Sequence, residues 1–129
     1  MLDKIDWHEV FNRLHAKLER ALKIGDSPYS VEQLAEAIER GRFKLFYTAN
    51  SVLVCEMTQF PAYRTMGLFL AAGDMQECLE LEVRACEWGR ENGCAAATTV
   101  GRRGWLRVLE SRGWKPSKNI MLTKELTDG

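Results

Sequence analysis

The chain lacks several features that would assign it to a class at once. Its 129 residues include only three prolines and two histidines, and its four cysteines form no Cys-x-x-Cys pair. Eighteen basic residues balance eighteen acidic ones, so no net charge draws the protein toward nucleic acid or an anionic membrane. No apolar run approaches the roughly 18–20 residues of a membrane span. The first seven residues also lack the charged-then-apolar order of a signal peptide.

The few cysteines and histidines predict neither a disulfide framework nor a metal site. Most of the cysteines fall in segments with a buried pattern, where a free thiol behaves as a small hydrophobic side chain. A reducing compartment, the cytoplasm, is therefore expected. His8 and His15 are seven residues apart, whereas two metal ligands on one helix need i, i+4 spacing and further partners.

What is present is a regular succession of helix and strand patterns that fits one domain over residues 1–129. Apolar spacing predicts helices over residues 6–24, 31–40, 75–92 and 104–112. Period-two alternation predicts strands over residues 42–48, 51–57, 64–72, 94–100 and 118–126. Ser30 with Gln33, and Asp74 with Glu77, predict capping boxes. The predicted helix over residues 75–92 is expected to bury a stripe of Met75, Leu79, Val83 and Cys86, flanked by Leu81, Ala85 and Trp88.

The order ααβββαβαβ predicts an α/β (α+β) fold with a mixed sheet. The first three strands follow one another through short turns and are expected to be antiparallel. The passage from strand 64–72 through a helix to strand 94–100 requires a crossover, which makes those two strands parallel.

This order of elements resembles the GCN5-related N-acetyltransferase (GNAT) family. The ending Leu109-Glu110-Ser111-Arg112-Gly113-Trp114 is similar to the end of that family's last helix. The stretch from Gly93 to Trp114 resembles small GNAT-like proteins encoded by phages and prophages. The resemblance implies transfer of an acetyl group from acetyl-CoA to an amine, in a cleft where strands 64–72 and 94–100 separate.

The resemblance also implies where coenzyme A would bind. The backbone of Leu70, Ala71, Ala72 and Gly73 would hold its pantetheine arm and diphosphate. Arg102 and Arg103 stand at the start of a helix, where two positive charges oppose the helix dipole. They form either an anion site, for example for a phosphate of coenzyme A, or ion pairs with the acidic segment 74–92.

Several family positions differ in this chain. The segment expected to bind the diphosphate has one glycine, and Asp74 can cap the same amides itself, with Glu77 and Glu80 adding negative charge. Leu109 stands where the family has a proton-donating tyrosine, and Arg102 where it often has asparagine.

Glu56 is the only acidic residue between Arg42 and Gly73, and is therefore the candidate general base. The alternative is an ion pair with Lys44 or Arg64.

Two functions of different class follow from these observations. The first is an N-acetyltransferase. The second is a non-catalytic, phage-encoded structural module or one that binds a host or virion protein. A third, nucleic-acid contact through Arg102, Arg103, Arg107 and Lys115, is disfavoured by the neutral charge.

Overall fold

The computed structural model of the protein describes residues 5–100 and 103–127. Its helices are α1 (Trp7–Arg13), α2 (His15–Ile24), α3 (Val31–Glu39), α4 (Met75–Glu91) and α5 (Arg103–Glu110). Its strands are β1 (Lys44–Tyr47), β2 (Ser51–Gln59), β3 (Arg64–Gly73) and β4 (Cys94–Thr99). Within the described ranges, no helix is long and apolar enough to cross a membrane.

The four strands form one mixed sheet in the order β1-β2-β3-β4. The pairs β1–β2 and β2–β3 are antiparallel and β3–β4 is parallel, as the sequence predicts. One hydrophobic cluster lies between the sheet and α1–α3, with Val10, Leu18 and Leu34 at its centre. The second lies on the other face, where Leu81 and Ala85 of α4 are buried.

The predicted first helix is bent rather than continuous. At Leu14 the backbone (φ −95°, ψ 8°) leaves the helical range and separates α1 from α2. Leu14 still makes a helical hydrogen bond on either side, since its N donates to Val10 O and its O accepts from Leu18 N. The bend keeps Val10, Leu14 and Leu18 buried against the curved sheet.

The buried face of α4 differs from the predicted stripe. Met75 and Val83 are 48% and 43% exposed. Leu79 of the stripe is buried as predicted, and the other buried residues of α4 are Cys78, Leu81, Glu82, Ala85 and Gly89. Gly89 allows α4 to approach β3 closely, since an added Cβ would lie 3.4 Å from Met66 Cβ.

The predicted closing strand over residues 118–126 is wrong for the isolated chain. Residues 115–127 carry no strand, and all of them are exposed. The sheet therefore ends at β4, and the observed order is αααβββαβα. Alternation in a sequence shows that a segment can form a strand, but it does not supply the neighbour that a strand needs.

His8 links α1 to α3 and gives the fold a pH dependence. Its ring stacks on Trp7 (centroids 3.9 Å apart) and bonds to Asp6 Oδ1 (2.8 Å) and to the Glu39 carboxylate. The hydrogen bonds to Asp6 and then to Glu39 raise the pKa of His8. A raised pKa in the folded state means that the charged imidazole stabilises the fold.

We expect the free energy of unfolding to fall as the pH rises through the raised pKa of His8. The stabilisation by charged His8 is complete below the pKa of histidine in the unfolded chain, about 6.5. It is lost as the pH rises through the higher pKa of His8 in the folded state. Urea unfolding at about pH 6 and about pH 8.5 measures it, and His8→Gln should remove this part of the dependence. His15→Gln, also exposed and on the neighbouring helix, is the control that should retain it. Equal pH dependence in wild type and His8→Gln would contradict this role of His8.

Candidate functional site

The pairing of β3 with β4 stops halfway along β3, because β4 ends at Thr99. Their pairing runs from Arg64 opposite Cys94 to Leu68 opposite Thr99, where Thr99 Oγ1 also donates to Leu68 O at 3.0 Å. Residues 69–73 of β3 have no partner on β4. The space beside this unpaired edge of β3 is the gap, and it begins where β4 ends at Thr99.

An irregularity in β3 accompanies the separation. On β2, Val54 pairs with Leu70 and Cys55 pairs with Leu68, so that Phe69 is an extra residue. Such a β-bulge bends a strand and increases its twist. The bulge lies directly after the last β3–β4 pair, at the point where the unpaired edge of β3 begins.

The gap contains a cavity of about 140 Å³ that reaches from α2 to α4 and α5. Leu68, Phe69, Leu70 and Ala71 line it from β3, and Leu109 lines it from α5. Of the residues predicted to hold coenzyme A, Leu70 and Ala71 therefore lie at the cavity. Ala72 is buried in the core, and Gly73 is the last residue of β3.

The amino terminus of α4 is tied to the turn between β1 and β2. Asp74 N donates to Ser51 Oγ (3.0 Å), and the Asp74 carboxylate accepts from Glu77 N (3.0 Å). The Glu77 carboxylate accepts from Thr48 Oγ1 (2.6 Å) and Ser51 Oγ (2.9 Å). Only half of the predicted capping box is therefore formed, because Glu77 bonds to the turn instead of to the backbone of Asp74.

These contacts decide which parts of coenzyme A fit. The edge of β3 that has no strand partner over residues 69–72 and the mainly apolar cavity fit the extended pantetheine arm. The amino terminus of α4 does not offer the diphosphate an anion site, because Asp74 caps it and the Glu77 carboxylate lies beside it.

Glu56 lies beside the narrow end of the gap, outside the cavity lining. It is paired across the sheet with Gly67, which in turn pairs with Thr98 of β4. This row is closely packed, since a Cβ added at Gly67 would be in van der Waals contact, at 3.7 Å, with both Glu56 Cγ and Thr98 Oγ1. The side chain of Glu56 is 34% exposed, and its Oε2 is 3.7 Å from Arg42 Nη2.

Neither partner predicted for Glu56 is the observed one. Arg64 donates to Gln59 Oε1 (2.8 Å) and to Asn92 O (2.6 Å), and Lys44 Nζ lies over the Phe46 ring, 5.6 Å from its centroid. The ion pair with Arg42 replaces both.

Glu82 is a functional candidate that the sequence reading missed. It is 7% exposed and lines the cavity from α4. Its Oε1 accepts from Trp114 Nε1 at 2.8 Å, and its Oε2 is 3.5 Å from Arg112 Nε. This contact joins the acidic segment 74–92 to Arg112 and Trp114, which follow α5. In the sequence, the only indication that Glu82 would be buried was its position three residues after Leu79, which places both on the same face of the helix.

The remaining predicted groups are placed as follows. Arg102 lies outside the described residues, and Arg103 is the first residue of α5. All four cysteines are free. Burial raises the pKa of Cys55 to about 12, and burial together with Asp74 and Glu77 raises that of Cys78 to about 11. Both thiols are therefore protonated at neutral pH and are poor nucleophiles. In the described part of the chain, no three acidic, histidine or cysteine side chains are grouped to hold a metal ion.

The fold is that of known acetyltransferase structures. The chain resembles a probable acetyltransferase with a TM-score of 0.71 and 11% identity, covering 96% of this chain and 97% of that one. It resembles a Trypanosoma brucei acetyltransferase with a TM-score of 0.64 and 15% identity, covering 94% of this chain and 96% of that one. It also resembles a transcriptional regulator from Bacillus halodurans C-125 with a TM-score of 0.68 and 14% identity, covering 96% of this chain and 97% of that one.

No protein-family model matches the chain, and no curated protein is detectably similar to it in sequence. At 11–15% identity the structural likeness establishes the fold alone. The protein has a GNAT-like fold, a mixed α+β domain on a four-stranded mixed sheet.

Proposed function

We propose that the protein is an acyltransferase that moves an acetyl group from acetyl-CoA to an amine. The observation that carries the proposal is the apolar cavity at the separation of β3 from β4. It offers an unpaired strand edge beside a partly open, mainly apolar space, a combination suited to an extended ligand with amide groups along its length.

The backbone of β3 would hold that ligand. Beyond Leu68, the N–H and C=O groups that face the gap have no strand partner. Leu70, Ala71, Ala72 and Gly73 would supply them to the amides of the pantetheine arm, as a neighbouring strand does. The predicted anion contacts of Arg102 and Arg103 remain part of this proposal.

Glu56 would act as the general base. The amine nitrogen forms a bond to the acetyl carbonyl carbon, the carbon–sulfur bond breaks, and the Glu56 carboxylate accepts the proton that the amine loses. Glu56 pairs with Gly67, next to Leu68, the last β3 residue paired with β4, so the amine would approach Glu56 from that end of the gap. Leu109 lines the cavity but cannot donate a proton, so the leaving sulfur takes its proton from water.

Acetyl-CoA binding tests the proposal. Acetyl-CoA should raise the melting temperature, since ligand at a hundred times its Kd adds about 2.7 kcal/mol of stability. S-acetylpantetheine, which has no diphosphate, should give a comparable shift at the same multiple of its own Kd. Ala71→Phe fills the cavity and should abolish the shift, whereas Ala62→Phe in the exposed β2–β3 turn should leave it unchanged. Absence of a shift at millimolar acetyl-CoA would remove this function.

The variant Glu56→Gln separates binding from chemistry. It should retain the thermal shift and lower kcat by about 100-fold or more, the usual contribution of a general base. An unchanged kcat would assign Glu56 to the ion pair with Arg42 alone.

A second candidate is a non-catalytic module that binds a host or virion protein. The contacts of Asp74 and Glu77 favour it, because they close the site that would take a diphosphate. A phage or prophage origin and a cytoplasmic location belong to this proposal. Failure of acetyl-CoA to bind would favour this candidate over the enzyme.

A further inference from the structure

The cavity beside β3 is lined from both faces of the sheet. Phe69 and Leu70 line it and pack against the α1–α3 cluster, whereas Leu68 and Ala71 line it and pack against the α4 cluster. One part of the cavity therefore lies beside α2 and another beside α4. A ligand held at the edge of β3 that has no strand partner can reach into both parts.

The two parts differ in polarity. Beside α4, the lining includes the Glu82 carboxylate and the Cys78 thiol. Beside α2, the described lining residues carry no polar side chain, and they are Ala21, Ile24, Gly25, Phe69 and Leu70. A hydrocarbon chain can enter the α2 part without leaving a polar group unpaired. An ammonium group would lose its hydration there and find no partner.

The wall that α2 contributes is made of small or incompletely covered residues. Ala21 is half-buried, and Gly25, which ends α2, has no side chain. Ile24 lines the cavity and is nevertheless 48% exposed. The α2 part thus leaves apolar surface that a ligand can cover, and covering such surface favours binding.

The two substrates of acyl transfer would arrive at different places. The acyl chain is attached to the pantetheine arm, which would lie along residues 69–72, where Phe69 and Leu70 border the α2 part. The amine would approach Glu56, which pairs with Gly67 and stands outside the cavity lining. The α2 part is therefore within reach of the acyl group, and the carboxylate that an amine needs lies elsewhere.

We propose that the site takes acyl donors longer than acetyl, that the chain lies in the α2 part of the cavity, and that Ala21 limits its length. The proposal rests on the acyltransferase function and specifies its donor. The bonds that form and break are the same as in acetyl transfer, because a longer chain changes only the substituent on the carbonyl carbon.

Calorimetric titration with acetyl-CoA and butyryl-CoA, without an amine, tests the proposal. Each buried methylene lowers Kd about fourfold, so butyryl-CoA, with two more, should bind at least about tenfold more tightly. Ala21→Leu fills the α2 part and should bring the ratio of the two Kd values to about one. Ala16→Leu makes the same change at an exposed position of α2 and should keep the wild-type ratio.

The outcomes separate the chain-length proposal from the acyltransferase function. Equal Kd values for the two donors in the wild type would overturn the chain-length proposal and leave the acyltransferase function standing. Binding of neither donor would overturn the acyltransferase function itself. A preference for butyryl-CoA that survives Ala21→Leu would place the chain elsewhere and overturn the role of the α2 part. The wild-type comparison decides the donor preference even if Ala21→Leu does not fold.

Discussion

Gly73→Ala is expected to destabilise the protein by about 3–5 kcal/mol. Gly73 has φ +118°, a conformation that side chains rarely adopt, and its added Cβ would lie 2.3 Å from Asn50 O and 2.6 Å from Ser51 Cα. The backbone strain and the clash with backbone atoms add together. Relief would require moving the β1–β2 turn away from the end of β3. Urea unfolding monitored by tryptophan fluorescence gives the change in the free energy of unfolding.

Gly93→Ala is the matched control because it separates strain from clash. Gly93 also has positive φ (+76°), but nothing lies within 4 Å of its added Cβ. The cost should be about 1–2 kcal/mol from strain alone. Equal losses in the two variants would show that the β1–β2 turn moves aside without cost.

Glu82→Ala is expected to cost about 2–3 kcal/mol. The truncation removes a buried carboxylate that accepts the Trp114 Nε1–H bond and pairs with Arg112. Because the contact joins α4 to the chain that follows α5, its loss should also loosen α5 over the cavity. Unfolding in urea measures the first effect, and faster hydrogen exchange in residues 103–114 measures the second.

Glu80→Ala is the control for Glu82→Ala, since Glu80 is an exposed carboxylate on the same helix. It should change stability by less than about 0.5 kcal/mol. Glu82→Gln retains an acceptor for Trp114 and should fall between the two. A Glu82→Ala protein as stable as the Glu80→Ala protein would refute the structural role of this carboxylate.

Features that depend on neighbouring residues could be predicted from the sequence. Ser30 and Gln33 form the predicted capping box, with hydrogen bonds of 3.1 and 2.9 Å. The four strands and their directions also follow, because short turns and a crossover helix leave few ways to connect them. The gap between β3 and β4 followed from the resemblance in element order.

Features that depend on distant residues could not be predicted. Glu82 reads as one more charge on an acidic helix until Trp114, 32 residues later, is placed beside it. Glu77 has the spacing of a capping box, but Thr48 and Ser51 offer its carboxylate two hydroxyl donors from another part of the chain. For Glu56, the sequence offered Lys44 and Arg64 as partners, and the folded chain places Arg42 beside it instead.

The extra residue in β3 has a consequence for comparing this chain with others. Successive strand side chains point to opposite faces, but Phe69 and Leu70 both pack against the α1–α3 cluster. Leu68 and Ala71, on either side of them, pack against the α4 cluster. An alignment that omits the extra residue would therefore assign every later residue of β3 to the wrong face of the sheet. Residues that line the cavity in related chains can be matched to this one only if Phe69 is treated as an insertion in β3.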